Sequence, residues 1–180
     1  MANEDIIEGK IKQMDGGIDL LYSRFFGWSI EASVQTAVRE RHHGELLVGS
    51  ADIVETGHEA IPYLIAAPTM RVPMILRDSV NPFLAARAVL LLIKHGVFAD
   101  GKRAGQPISE AVNTVAIPGL GTGVGQIGPN LCAFQVREAI EVVLLDNVPF
   151  PATWPQSQNR HLALQNLPPR DLQHPKPSAQ

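Results

Sequence analysis

Cysteine is nearly missing from this chain: Cys132 stands alone among 180 residues. One thiol makes no internal bridge, so a disulfide framework and a cysteine zinc cluster are excluded, and a reducing cytoplasm is the expected compartment. An excess of basic charge is missing too. Lys+Arg 15 against Asp+Glu 18 gives a formal net charge of -3, which leaves no net positive field for phosphate neutralisation and argues against a nucleic-acid partner. The longest apolar run, Ala88 to Ile93, falls far short of the roughly 20 residues that cross a bilayer. Met1 to Asp5 is acidic where a secretory signal would be basic, so no membrane association is expected. Lysine is absent between Lys102 and Lys176, and glycine is absent after Gly128.

What remains is 45% hydrophobic and 18% charged, the balance of one ordinary globular domain. A chain of this length can bury roughly two-thirds of its unfolded surface without a metal or disulfide. Half of the 14 prolines lie between Pro149 and Pro177. That shift divides the sequence into a domain over 1–147 and a proline-rich tail over 148–180, expected to be largely disordered or polyproline-like. Trp154, Leu162, Leu164 and Leu167 are the tail's only apolar anchors, for docking on the domain or on a partner.

Within 1–147 the hydrophobic period alternates. Ile18, Leu21, Tyr22 and Phe25 fall on one helical face that Gly27 can end. Ser29 is placed to cap a second helix with Ile30, Val34, Ala37 and Val38 inward. Short extended runs follow at Leu46 to Val48, Asp52 to Glu55 and Tyr63 to Ala67. Asn81-Pro82 opens an apolar helix to His95, Thr114 to Ile117 reads as a strand covered on both faces, and Pro129 starts the last helix. Alternation of this kind predicts an α/β sandwich around a mixed or parallel central sheet.

The most informative stretch is Ile117-Pro118-Gly119-Leu120-Gly121-Thr122-Gly123-Val124-Gly125-Gln126-Ile127-Gly128-Pro129, which puts five of the 15 glycines between a predicted strand and a helix start. Alternate glycines let main-chain N–H groups converge with no side chain between them, beside a helix N-terminus, where a phosphate or pyrophosphate can approach. A tight turn with no ligand is the plain alternative. A nucleoside-triphosphate loop would end in Gly-Lys-Ser/Thr, and no lysine is there. Gly123-x-Gly125-x-x-Gly128 imitates a dinucleotide fingerprint, but the next helix runs into Asp146-Asn147 and the proline-rich tail, with no second strand. A second glycine cluster, Met14-Asp15-Gly16-Gly17-Ile18-Asp19, precedes the first helix; Asp15 as a helix cap and Asp19 as a solvated acid would account for it without any ligand.

Together these pieces resemble the macro domain family of ADP-ribose-binding modules. Gly16-Gly17-Ile18-Asp19 is similar to the head of that family's first ligand loop. Gly44 to Pro62, with Ala51, Thr56-Gly57-His58 and Ile61-Pro62, is similar to its Gly-x-Ala-x-x-Thr-x-Gly segment, and Ile117 to Gly128 to its diphosphate-holding loop. The Pro-Gly-Leu-Gly-Thr-Gly-Val-Gly form is closer to macro-like proteins of bacteria and their phages. The likeness covers about Asp15 to Leu145. It implies a three-layer α/β/α sandwich with a mixed, largely parallel sheet and a cleft for ADP-ribose or a derivative.

Residue by residue, the resemblance makes Asp19 the group that positions or deprotonates a water, and gives the diphosphate to Gly119, Gly121, Thr122, Gly123, Val124 and Gly125, with Gly16 and Gly17 in the first loop. Ala2-Asn3 stands where a remnant of the family's asparagine motif would be, which makes Asn3 a candidate contact and the chain one that lacks the family's first strands. Adenine recognition has no counterpart here, and Gly125 replaces an aromatic that would stack on ribose. Binding, with or without ADP-ribosyl hydrolysis, is one function class; an ADP-ribosylated protein is then a possible partner. The other class is a non-catalytic interaction protein that uses residues 148–180 as a partner-binding arm. His42, His43, His58, His95, His161 and His174 lack ligand spacing, so no metal and no cofactor are expected. Cys132 reads as a packing residue, and no serine has the glycine flanks of a hydrolase elbow.

Overall fold

The computed structural model describes Met14 and residues 17–169. Among them are five α-helices and one small sheet: α1 (Gly17–Phe26), α2 (Ser29–Arg41), β1 (Asp52–Glu55), β2 (Tyr63–Ala66), α3 (Asn81–His95), α4 (Pro129–Val143) and α5 (Trp154–Leu164). Single 3-10 turns, Gly101–Arg103 and Ile108–Glu110, lie between α3 and α4.

The sheet overturns the expected sandwich. β1 and β2 pair antiparallel in the register Asp52 to Ala66 and Glu55 to Tyr63, and no third strand joins them among the described residues. The fold is mainly helical, not a three-layer α/β/α sandwich on a largely parallel sheet. Neither Leu46 to Val48 nor Thr114 to Ile117 enters a ladder. A run of apolar residues reports burial, whereas a strand also needs a neighbour to take its N–H and C=O groups, and that neighbour is not encoded in the run itself.

Alternation along β1 still organises the interior, because successive side chains leave opposite faces of a strand. Ile53 faces Phe98, Ile108, Tyr63 and Leu92 on one side. Val54 faces Ile30 and Ala37 of α2 on the other, with Phe26 and Leu64 against them. The helical half is held by a third cluster in which Ala86 and Leu90 of α3 meet Ala139 and Val143 of α4. Alanines at this contact let the two helices come close, and Ala86 and Ala139 are completely buried.

Helix boundaries follow the sequence signals more closely than the caps do. Ser29 is the first helical residue of α2 and Trp28 takes the cap position with no side-chain capping hydrogen bond. Asn81 is likewise inside α3, and its Nδ2 donates to Thr69 O at 2.7 Å instead of capping. Proline at the first turn is as expected in both α3 and α4.

Residues 154–164, expected to be disordered or polyproline-like, form α5 instead. Thr153 Oγ1 accepts from Gln156 N to cap it, and Leu162 and Leu164 are buried. Proline at its start is tolerated because the first-turn amide has no intrahelical partner anyway. Gln135 of α4 and Gln165 fix its far end to the body: Gln135 Nε2 donates to Leu164 O at 2.8 Å, and Gln165 Nε2 to Asp78 O at 2.6 Å.

Candidate functional site

Residues 119–125 form the loop that delivers the chain into α4, and its hydrogen bonds run in one direction. Gly119 O accepts from Thr122 Oγ1 at 3.0 Å, Gly121 O from Ile127 N at 3.0 Å, Gly123 O from Gln126 N at 3.0 Å and Gly125 O from Leu76 N at 2.7 Å. The carbonyls of the alternate glycines are therefore committed to the protein. A trans peptide sets its N–H opposite its C=O, and no cis bond occurs among the described residues. The amides of Leu120 and Val124, which share peptide planes with Gly119 O and Gly123 O, consequently point away from those bonds. Thr122 N closes the turn at Leu120–Gly121 onto Gly119 O, whereas the amides of Leu120, Gly123 and Val124 donate to no carbonyl among the described residues.

Two glycines hold this shape for steric reasons. Gly121 sits at φ +69°, a left-handed value that side chains disfavour. A Cβ on Gly125 would lie 2.5 Å from Gly121 O, a backbone atom that cannot swing aside. Gly123 is different: nothing lies within 4 Å of a Cβ built there. Thr122, Gly123 and Val124 are exposed at the tip, while Leu76, Ile127 and Cys132 pack beneath the loop.

Leu76 and Arg77 are contributions that sequence reasoning missed. Leu76 donates its amide to Gly125 O, and Arg77 Nη2 donates to Gln126 Oε1 at 2.5 Å, so an exposed guanidinium is anchored at the foot of the loop. They lie about 50 positions upstream in sequence, and no local pattern links a single arginine to a glycine loop at that distance. Leu120 carries no signal of its own in the sequence, yet its amide is freed by the carbonyl before it.

α4 starts at Pro129, with Gly128 in the cap position and no side chain closing it. Its first turn adds the partial positive charge of unpaired amides behind the loop. The chemistry available here is recognition of an oxyanion by main-chain donors, with Arg77 as a cation anchored at the foot of the loop.

The first glycine cluster lies elsewhere in the packing. Asn3 and Gly16 fall outside the described residues. Gly17 begins α1 at φ +58°, and Asp19 stands in the first turn. Burial pushes the Asp19 carboxyl above the ordinary aspartate value, and the Tyr22 hydroxyl is pushed up by burial and by the Asp19 charge. Ser23 Oγ, fully buried, shares its one proton between Asp19 O and Met14 O and pins the first turn. Met14 and Phe26 pack on α2 and the hairpin, a different cluster from the one beneath the glycine loop.

Thr56-Gly57-His58 does meet α1. Phe25 and Phe26 pack on the His58 ring, with centroids 5.2 and 6.0 Å away. His58 Nδ1 accepts from the amides of Ala60 and Ile61, and Thr56 Oγ1 from His58 N. These residues build a turn. No group of three His, Cys, Asp or Glu among the described residues is arranged to hold a metal ion, and no described helix is long and apolar enough to cross a membrane.

No family model matches this sequence, and no solved structure matches it. An uncharacterized protein of Aquifex aeolicus (strain VF5) is 32% identical over 127 residues, 71% of this chain and 65% of that protein. The chain thus spans just under two-thirds of that relative's length, and the relative's description assigns it no activity.

Proposed function

We propose that this chain binds ADP-ribose or a related nucleotide-sugar diphosphate through the main-chain amides of residues 119–125. The observation that carries the reading is the one-sided commitment of the loop carbonyls at Gly119, Gly121, Gly123 and Gly125, which leaves the amides of Leu120 and Val124 without a carbonyl partner among the described residues. Amides fixed in this way stabilise an anion without a conformational cost at binding. The ordered motifs that resemble the macro domain family support a nucleotide-sugar diphosphate over a bare phosphate. The proposal concerns the ligand loop and carries no claim to the family's sandwich.

Hydrolysis of an ADP-ribosyl linkage is the catalytic extension of the same reading. Asp19 would position or deprotonate the attacking water on a ligand that extends from the loop to α1, and a carboxylate whose pKa is raised by burial is a better base than an ordinary one. ADP-ribosylated protein is the partner this activity implies, and a reducing cytoplasm suits a chain with one thiol. Calorimetry with millimolar ADP-ribose tests the binding: heat and thermal stabilisation support it, and neither at that concentration removes it. Release of ADP-ribose from a modified protein that is unchanged by Asp19→Ala would remove the catalytic role while leaving the binding reading intact.

A further inference from the structure

A cleft of about 470 Å³ opens where α3, α4 and α5 meet the segment that joins α4 to α5. Its walls carry Phe83, Arg87, Asp146, Phe150, Arg160 and His161. The charge is uneven: two guanidiniums and one carboxylate line it, with the His161 ring beside them. Neither Arg87 nor Arg160 makes a salt bridge or hydrogen bond among the described residues, unlike Arg41, Arg71 and Arg77, which are all paired. Phe83 and Leu164 provide an apolar wall, and Phe150 is 93% exposed at the rim. An aromatic ring left so open costs hydrophobic free energy that a ligand's apolar body would recover.

We propose that this cleft is a second ligand site, separate from the glycine loop, for a small organic anion: an apolar, preferably aromatic body bearing one phosphate or carboxylate group. The volume suits a molecule of that size. Its head group takes the forked donors of Arg87 and Arg160, which match an oxyanion bidentately. Its body lies on Phe83 and Leu164 with Phe150 over it. A bare inorganic anion would leave the apolar wall wet, and a neutral aromatic would leave the guanidiniums unpaired; only the combination satisfies both.

Calorimetric titration of the full chain with 1-naphthyl phosphate, 1-naphthoate, 1-naphthalenemethanol and inorganic phosphate tests the site. At least one naphthyl anion binds tenfold or more tighter than both the neutral alcohol and inorganic phosphate, and which of the two anions binds better identifies the head group. Arg87→Gln and Arg160→Gln each weaken that anion at least fivefold while their thermal midpoints stay within about 2 °C of the parent, as surface changes should. Gly123→Ala, in the loop, leaves the naphthyl anion's affinity unchanged, so failure of this site and failure of the ADP-ribose reading are distinguishable. Equal binding of the neutral alcohol, no binding at millimolar concentration, or anion affinity unmoved by both arginine substitutions overturns the proposal.

Discussion

Gln135 Nε2 donates to the carbonyl of Leu164 at 2.8 Å, from the fully buried flank of α4 to the end of α5. The same nitrogen donates to Ser79 O at 2.9 Å, and Gln135 Oε1 accepts from Phe83 N at the start of α3. One amide therefore joins three segments and uses both its donors and its acceptor.

Gln135→Leu keeps the side chain's bulk but leaves two carbonyls and one amide without a partner. A buried group left unpaired costs about 1–3 kcal/mol, and partial access of water to Ser79 and Phe83 keeps the sum near 3 kcal/mol. Chemical denaturation reads this as a lower midpoint. Amide exchange sharpens the claim, because protection in 154–164 falls more than in α3.

Ala139 and Ala86 are both completely buried in the contact between α3 and α4. Ala139→Leu inserts three carbons where there is no space and destabilises the protein by about 3 kcal/mol, at the upper end for overpacking. For a chain of this size that lowers the thermal midpoint by roughly 6–12 °C. The exposed Ala133 is the control, and Ala133→Leu on the same helix lowers it by less than about 2 °C.

Asp52 and Asp19 titrate with opposite consequences. Burial pushes the Asp52 carboxyl up, but hydrogen bonds from Arg41, the Ile53 amide and His42 outweigh it and hold the group below the ordinary aspartate value. A pKa lowered by folding contributes stability that is complete above the unfolded value, roughly 3.9, and is lost as pH falls through the folded one. Asp52→Asn therefore costs about 2 kcal/mol at pH 7, and its gap from the parent closes below about pH 4. Asp19 is raised by burial, so its ionisation removes stability as pH rises through the folded value. Because the Asp19 residue is exposed, the effect is screened: Asp19→Asn exceeds the parent at pH 7 by no more than about 0.5 kcal/mol and equals it well below the ordinary aspartate value. Thermal melts from pH 3 to pH 8 check both slopes.

The glycine loop separates shape from binding. Gly125→Ala brings a methyl group to 2.5 Å from Gly121 O and lowers stability by about 2 kcal/mol or more. Gly123→Ala meets nothing within 4 Å and leaves the melt unchanged, yet places a methyl group at the exposed tip. It reduces ADP-ribose affinity at least tenfold.

Helices were legible in the sequence because their signals are local: apolar spacing on α1 and α2, proline in the first turn of α3 and α4. The sheet was not. Asp52 to Glu55 and Tyr63 to Ala66 are strands where alternation or β-branching suggests them, but Thr114 to Ile117, read as a strand from its apolar run, has no ladder. Pairing depends on a partner distant in sequence, and periodicity carries no information about it. The tail misled for the complementary reason, since proline density hid a Thr153 cap and two inward leucines. At the candidate site the loop was legible from its glycines, while Leu76 and Arg77 came to it through tertiary folding alone.

Nuclear magnetic resonance of the ¹⁵N-labelled chain titrated with ADP-ribose tests the amide cradle most directly. The account predicts saturable downfield amide proton shifts for Leu120 and Val124, weaker ones for neighbouring loop residues, and none near Phe150 or Arg160. Amide resonances of residues 119–125 that stay in place at millimolar ADP-ribose would contradict it.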